Sequence, residues 1–437
     1  MDNHPEESAS TLRVVAMENP RPTPPAPGAA PSLPRRRSYL RAALGALGLA
    51  ALVLACSGPI FEGLERPYLR PLLADPFENK DQGLVLQREA FQRPDVLPLY
   101  GSSELRNAMG QRPDHAFYHE PSGFQVCPVG GAGNTTLMNA QKIAALGKAV
   151  EGRKVAFILS TTWFRRTRIP SPQLAGNFSA LQAITFLRNA DIEPALRDRF
   201  INRLLDQPDG LKEQPMVLAY LRTLNQPGWM TGMERNLRGL GLGLYAAQLH
   251  LEDHENMLGE VFNEPGMLKQ RSWAPRPGPI DWNALIAEKE KESRATTESK
   301  KAAGLMRASP LVDGGVEDEQ FCREVESSRE WEDFALLLDT LKSLRAKPLM
   351  ISVPFAGWFM DLHGISQSAR QFYYRKFEDV CAKAGVPCAT FSEHEQDPDF
   401  LEGVGTHLEV KGWLYVNRLL EDFYLDRPLP KPVSKAS

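Results

Sequence analysis

No two of the five cysteines in this 437-residue chain (Cys56, Cys127, Cys322, Cys381, Cys388) form a CxxC pair, and none falls in a zinc-like run. No GxxxxGK[ST] motif is present, and the glycines at 130–133 do not fit GxGxxG, so neither familiar nucleotide cradle is present. Basic excess is missing too. Lys and Arg number 51 against 54 Asp and Glu, net −3, which argues against nucleic acid as the main partner. Two histidine pairs at i, i+4 spacing, His115/His119 and His250/His254, have the form of a helical metal site. The second pair lies among Glu252, Asp253 and Glu255 and reads as a solvated face, so no metal site is expected. Cys381 and Cys388 are close enough in sequence for a disulfide if the domain is exported, and two buried thiols are the alternative.

What is present begins with proline. Seven prolines fall within residues 20–34, too many to pack, so 1–38 is expected to be a disordered, cytoplasmic tail. Arg35, Arg36, Arg37 and Arg41 then precede AALGALGLAALVLACSGPIF, residues 42–61, which carries no charge and has the length of a membrane-crossing helix. The positive-inside bias puts the N-terminus in the cytoplasm, a single-pass anchor at 39–61 in the plasma (inner) membrane, and the rest outside, extracytoplasmic or periplasmic. Val53-Leu54-Ala55-Cys56 resembles a lipobox, although the long tail ahead of it differs from a processing signal.

Beyond an irregular connector at 62–95, four apolar runs read as buried strands: 96–100, 124–129 (FQVCPV), 154–160 (KVAFILS) and 348–353 (PLMISV). A shorter fifth is 386–391 (VPCATF). Helical patterns at 135–147, 331–347 and 367–384 alternate with them, which points to an α/β fold with a doubly wound, mostly parallel five-stranded sheet. Pro98 and Pro128 require those two strands to be short near the prolines. Between 165 and 330 the alternation gives way to amphipathic helices, read as an insertion that splits the sheet domain into 62–164 and 331–426. Residues 288–301 are dense in charge and read as a solvated helix or linker, and 427–437 as a disordered tail.

In such a sheet the reactive groups sit off the carboxyl ends of the strands. The first strand delivers Gly101-Ser102-Ser103-Glu104, with a helix expected to begin at the serines. A serine there is either an ordinary N-cap or a nucleophile at the positive end of a helix. The second delivers GGAGN, 130–134, either a plain turn or a set of backbone donors for an oxyanion. The third delivers Ser160-Thr161-Thr162-Trp163-Phe164. His407, in THLEVKGW, follows the fifth strand and reaches the same face, where it can act as general base.

GSSEL (101–105), GGAGNTTLMNA (130–140), STTWF (160–164), MISVPFAGWFMDLHGIS (350–366) and FLEGVGTHLEVKGW (400–413) occur in that order behind the anchor. Together they resemble the DltD family, membrane-anchored extracytoplasmic proteins of teichoic-acid D-alanylation with an SGNH-hydrolase-like fold. The resemblance implies Ser103 as nucleophile, His407 as base, and the backbone N–H groups of Ser103 and Gly133 as oxyanion donors. Ser102, Thr162 and Trp163 are expected to face substrate. The implied activity is transfer of a D-alanyl or similar acyl ester to a cell-surface polymer, or ester or thioester hydrolysis if water replaces the acceptor. The implied partners are a membrane-bound O-acyltransferase and an acyl carrier protein, and no cofactor is implied. Leu105 stands where the GxSxG elbow has glycine, which sets this serine apart from that of α/β-hydrolases. The family's Asp three residues before its His is Val404 here. Glu402, nearest to His407, is therefore the expected third member, with a backbone carbonyl as the runner-up; the other acids nearby, Asp397 and Asp399, read as turn or capping residues. The missing Asp keeps open a second reading, a non-catalytic scaffold that docks to the acyltransferase and presents the acceptor.

Overall fold

The computed structural model describes residues 36–429, apart from 75–76, 106–110, 225, 227, 264–277, 303–314, 398 and 404. The outer parts of both expected tails and Val404 therefore lie outside the described residues. The chain divides into two units, 1–55 and 56–437. A helix, Arg36–Glu65, covers the run expected to be the anchor. Among the described residues no helix is long and apolar enough to cross a membrane, and the side chains of 50–56, the middle of that run, are not among them.

Five strands form one sheet: β1 (Val96–Tyr100), β2 (Gln125–Val129), β3 (Lys154–Leu159), β4 (Lys347–Ser352) and β5 (Cys388–Ala389). Their order is β2-β1-β3-β4-β5, and every pairing is parallel rather than mostly so. The strands read as unbroken apolar runs because both faces of the sheet are covered. Tyr100, Val129, Val155, Phe157 and Leu159 face the helices Thr136–Leu146, Glu330–Ser343 and Gln367–Ala384. Leu97, Leu99, Ala156, Ile158 and Ile351 face Trp282 and the helix Val410–Tyr424, through Trp413, Val416 and Leu420. Passing from β1 out to β2 and back across β1 to β3 reverses the strand order, which opens a crevice at the carboxyl ends of β1 and β3.

Both prolines fit without shortening their strands. The β1–β3 ladder includes only Leu99 and Tyr100, so Pro98 lies outside it, while Pro128 is on the edge strand β2. The fifth strand shrinks to two residues, and Phe391 beyond it turns to φ +51°.

The connector 62–95 is not irregular. It holds helices Leu69–Ala74, Glu78–Gln82 and Val85–Gln92, which bury Leu72, Leu73, Leu86, Ala90 and Phe91. Their shortness hid the helical period from the sequence. Asp253 Oδ2 accepts from the Leu84 and Val85 N–H groups at 2.7 and 3.0 Å, a cap supplied from far along the chain. The described residues between β3 and β4 are mostly helical, but they share the sheet's core through Leu181, Ile184, Phe186 and Phe200. The charged stretch 288–301 lies on the helix Trp282–Ala302, anchored at one end by buried Trp282 and Ile286.

The two acids held in reserve for His407 are engaged elsewhere. Asp397 Oδ2 takes His394 Nδ1 and Lys411 Nζ, each at 2.8 Å. Burial works against its charge, but those two hydrogen bonds hold its carboxyl below the usual range. Asp399 accepts from Ser293 Oγ at 2.8 Å. The cysteines Cys381 and Cys388 are free thiols; the hydrogen bond between them, reinforced by burial, pushes the Cys381 thiol up. His254 is not on a solvated face: its Nδ1 lies 2.6 Å from Glu65 Oε1.

Candidate active site

At the end of β1 the backbone must turn within a residue. The Gly101 N–H donates to Val129 O at 3.0 Å, continuing the pairing with β2 for one more step. Across from it, a Cβ on Gly130 would stand 2.2 Å from Gly101 O, so the two loops touch backbone to backbone. The loop after β2 is pinned on both sides. Asp81 Oδ1 accepts the Gly130 N–H at 2.5 Å. Asn134 Nδ2 donates to Gly101 O and to Asn139 Oδ1, both at 2.7 Å, and the buried Lys142 Nζ donates to Asn134 Oδ1 at 3.0 Å. Gly133 sits at φ +83°, with Gln173 Cγ 2.7 Å from where a Cβ would be.

Ser103 opens a 3-10 turn, Ser103–Leu105, and the rest of the helix expected there falls on 106–110, outside the described residues. Ser102 is buried, and its N–H donates to Glu104 Oε2 at 3.0 Å. The other Glu104 oxygen is buried with no hydrogen-bond partner. Burial raises the Glu104 carboxyl to about 7, with the N–H groups of Glu104 and Ser102 opposing. The acid beside the nucleophile candidate is thus poised near neutrality.

Ser103 Oγ lies 2.8 Å from His407 Nε2. A small hairpin carries the histidine. Leu401 and Leu408 form an antiparallel bridge, the Glu402 N–H donates to His407 O at 2.8 Å, and the Glu409 N–H to Phe400 O at 3.0 Å. That pairing sets Glu402 opposite His407. The nearest approach, Glu402 Oε2 to His407 Nδ1, is 3.7 Å, outside hydrogen-bonding range, and the carboxylate side chain is 47% exposed. Ser160 Oγ, at the end of β3, bonds to Thr162 Oγ1 at 2.9 Å and to Thr406 Oγ1 at 3.1 Å, tying the third strand to the histidine loop. Thr162 is exposed. Trp163 is half-buried, with the Arg166 guanidinium 5.4 Å from its ring centre. Phe164 turns inward against Trp331, Phe334, Tyr373 and Phe377.

A family profile described as "DltD protein" matches residues 75–425. The chain belongs to the DltD family. The chain is similar to "Protein DltD" of Bacillus subtilis (strain 168), 26% identical over 347 residues, 78% of this chain and 86% of that one. It is also similar to "Protein DltD" of Staphylococcus aureus (strain NCTC 8325 / PS 47), 21% identical over 353 residues, 80% of this chain and 86% of that one.

Of the expected DltD site residues, Ser103, His407 and Glu402 come together at the crevice, with Ser102 behind them and Thr162 tied to the same loop through Ser160. Asp81, Asn134 and Lys142 were not picked out in advance. Asn134 lay inside a legible loop, but nothing in the order of residues says that the buried Lys142, nearly two turns into the helix Thr136–Leu146, reaches back to it. Asp81 came from a segment read as connector, and its partner is a backbone N–H, which leaves no mark in sequence.

Proposed function

We propose that this DltD family member is a membrane-anchored, extracytoplasmic serine acyltransferase of SGNH-hydrolase type. Its cargo would be D-alanyl or a similar acyl group, delivered to a hydroxyl of a cell-surface polymer. The single observation that carries the reading is the 2.8 Å contact of Ser103 Oγ with His407 Nε2 at the carboxyl ends of the strands. In this reading His407 Nε2 takes the Ser103 proton as Oγ bonds to the acyl carbon, and returns it to the departing thiolate or alkoxide of the donor. The acceptor hydroxyl then gives its proton to His407 and bonds to the acyl carbon as the bond to Ser103 Oγ breaks, and His407 passes that proton to Oγ, freeing Ser103. Oxyanion charge would be met by the Ser103 and Gly133 N–H groups. Thr162 and Trp163, beside this crevice, would meet the acceptor. An acyl carrier protein and a membrane-bound O-acyltransferase would supply the acyl group, and 42–61 would hold the domain at the membrane.

The test is to treat the full-length protein with a fluorophosphonate and weigh it intact. One adduct mapping to Ser103 is expected, absent in Ser103→Ala and slowed in His407→Ala. No adduct at Ser103 would remove the covalent reading.

The 3.7 Å gap between Glu402 and His407 favours a second reading, a scaffold that binds the acceptor without covalent catalysis. Under it, Ser103→Ala would keep full polymer acylation in cells.

A further inference from the structure

A helix on a soluble domain buries one apolar stripe and shows water the rest. The helix Trp229–Asn263 has two stripes. Leu242, Ala246, Met257 and Val261 face the core. Met230, Met233, Leu237, Leu240 and Leu244 follow one another at steps of three and four, and each is 58–71% exposed. Met216, from the neighbouring helix, extends the patch beside Gly241 and is itself 46% exposed. Scattered exposed leucines are ordinary, but a continuous stripe marks a contact surface. Its orientation is fixed: Arg188 donates to Gly239 O at 2.6 Å, and Arg235 to Thr223 O at 2.7 Å.

What covers the stripe is indicated further along the same helix. Phe61, the last residue of the uncharged run 42–61, stacks on His254 with ring centres 5.3 Å apart. Glu65 Oε1 lies 2.6 Å from His254 Nδ1. The hydrogen bond to Glu65, with burial opposing, raises the His254 imidazole above its ordinary value. Beside this contact Ile60 and Leu64 are themselves 61% and 55% exposed. Where an anchor leaves the bilayer, the helix packed against its end lies at the lipid surface.

We propose that Trp229–Asn263 is an interfacial helix, with Met230, Met233, Leu237, Leu240 and Leu244 set into the headgroup–acyl boundary of the membrane. This rests on the anchoring proposed above, and the occupant is lipid: the helix that carries the stripe is the one that holds the end of the uncharged run, through Phe61 and Glu65 on His254. The consequence is a domain held in one orientation on the bilayer, not swinging on a tether.

The test uses the full-length protein in vesicles of phosphatidylethanolamine and phosphatidylglycerol doped with a phospholipid carrying a photoactivatable acyl chain. Lipid adducts, mapped by peptide mass spectrometry, are expected across 230–244 as well as 42–61. Leu237→Glu with Leu240→Glu lowers the 230–244 labelling roughly tenfold and leaves the 42–61 labelling and the thermal transition unchanged. Labelled 42–61 with unlabelled 230–244 overturns the interfacial helix and keeps the anchor. Labelled 230–244 with unlabelled 42–61 keeps the helix and removes the anchor. Photocrosslinks from position 240 in cells that go to a protein and not to lipid overturn it as well.

Discussion

Ser103 and His407, 304 residues apart in the chain, meet with Oγ 2.8 Å from Nε2. Two loops that leave different strands deliver them, and the bond from Ser160 to Thr406 fixes the second loop against the end of β3. Ser103→Ala is expected to abolish acyl-enzyme formation while the protein stays folded, since one lost hydroxyl costs about 1 kcal/mol. Ser102→Ala, a buried neighbour, should retain most of the activity. Intact mass after reaction with an acyl-thioester donor measures both.

Glu402 offers a graded test of the third position. Removing the acid of a working triad costs on the order of 10⁴ in kcat. The Glu402 carboxylate is half exposed and 3.7 Å from the ring, so Glu402→Gln is expected to slow acylation by less than about tenfold. A loss near the triad value in single-turnover kinetics would mean that Glu402 closes on His407 in the reacting complex.

Asp81 holds the Gly130 N–H from outside the sheet. A carboxylate hydrogen bond to a buried N–H is worth roughly 1.5–3 kcal/mol. Asp81→Ala should therefore slow acylation more than about tenfold by loosening the loop that carries Gly133, and Asp81→Asn, which keeps an acceptor oxygen, should restore most of the rate. Equal rates for the two variants would remove Asp81 from the positioning of the loop.

Glu104 predicts a pH dependence of stability. Its carboxyl is raised to about 7 in the folded protein against 4.5 as its ordinary value. The folded state therefore keeps a proton that the unfolded chain loses across this window, and stability falls as pH rises from about 4.5 to 7. Glu104→Gln has no such proton, so its advantage over the parent should grow by roughly 3 kcal/mol across that range and then level off. Urea melts at several pH values read this directly, and a constant difference would show that Glu104 is charged in the fold.

Phe164 packs under the site, its ring 4.5 Å from that of Trp331. Phe164→Ala should destabilise by about 3–5 kcal/mol, seen as a lower denaturant midpoint. Trp163→Ala, half-buried, should cost far less stability and act on turnover.

Much of this was legible in the residues alone. Four strands lie within a residue or so of where their apolar runs put them, because a strand covered on both faces needs such a run. The helix Gln367–Ala384 has the bounds its pattern gave it, and Gly385 at φ +70° ends it. Ser103 was readable because it follows the carboxyl end of a strand. His407 lies well beyond the fifth strand, and it is the Leu401–Leu408 hairpin that carries it to Ser103.

Tertiary structure decided the rest, for one physical reason: contacts between distant segments leave no period in sequence. Local pattern could not say that Asp253 caps a helix at 84–85, that Asp81 takes the Gly130 N–H, or that Asp397 belongs to His394 and Lys411. Sequence distance put Glu402 nearest to His407, and the Leu401–Leu408 bridge set it there; the 3.7 Å that remains comes from side-chain reach across a hairpin. The stripe on Trp229–Asn263 reads in sequence as one more buried helix face. Only the packed fold shows which of its two apolar faces the core left uncovered.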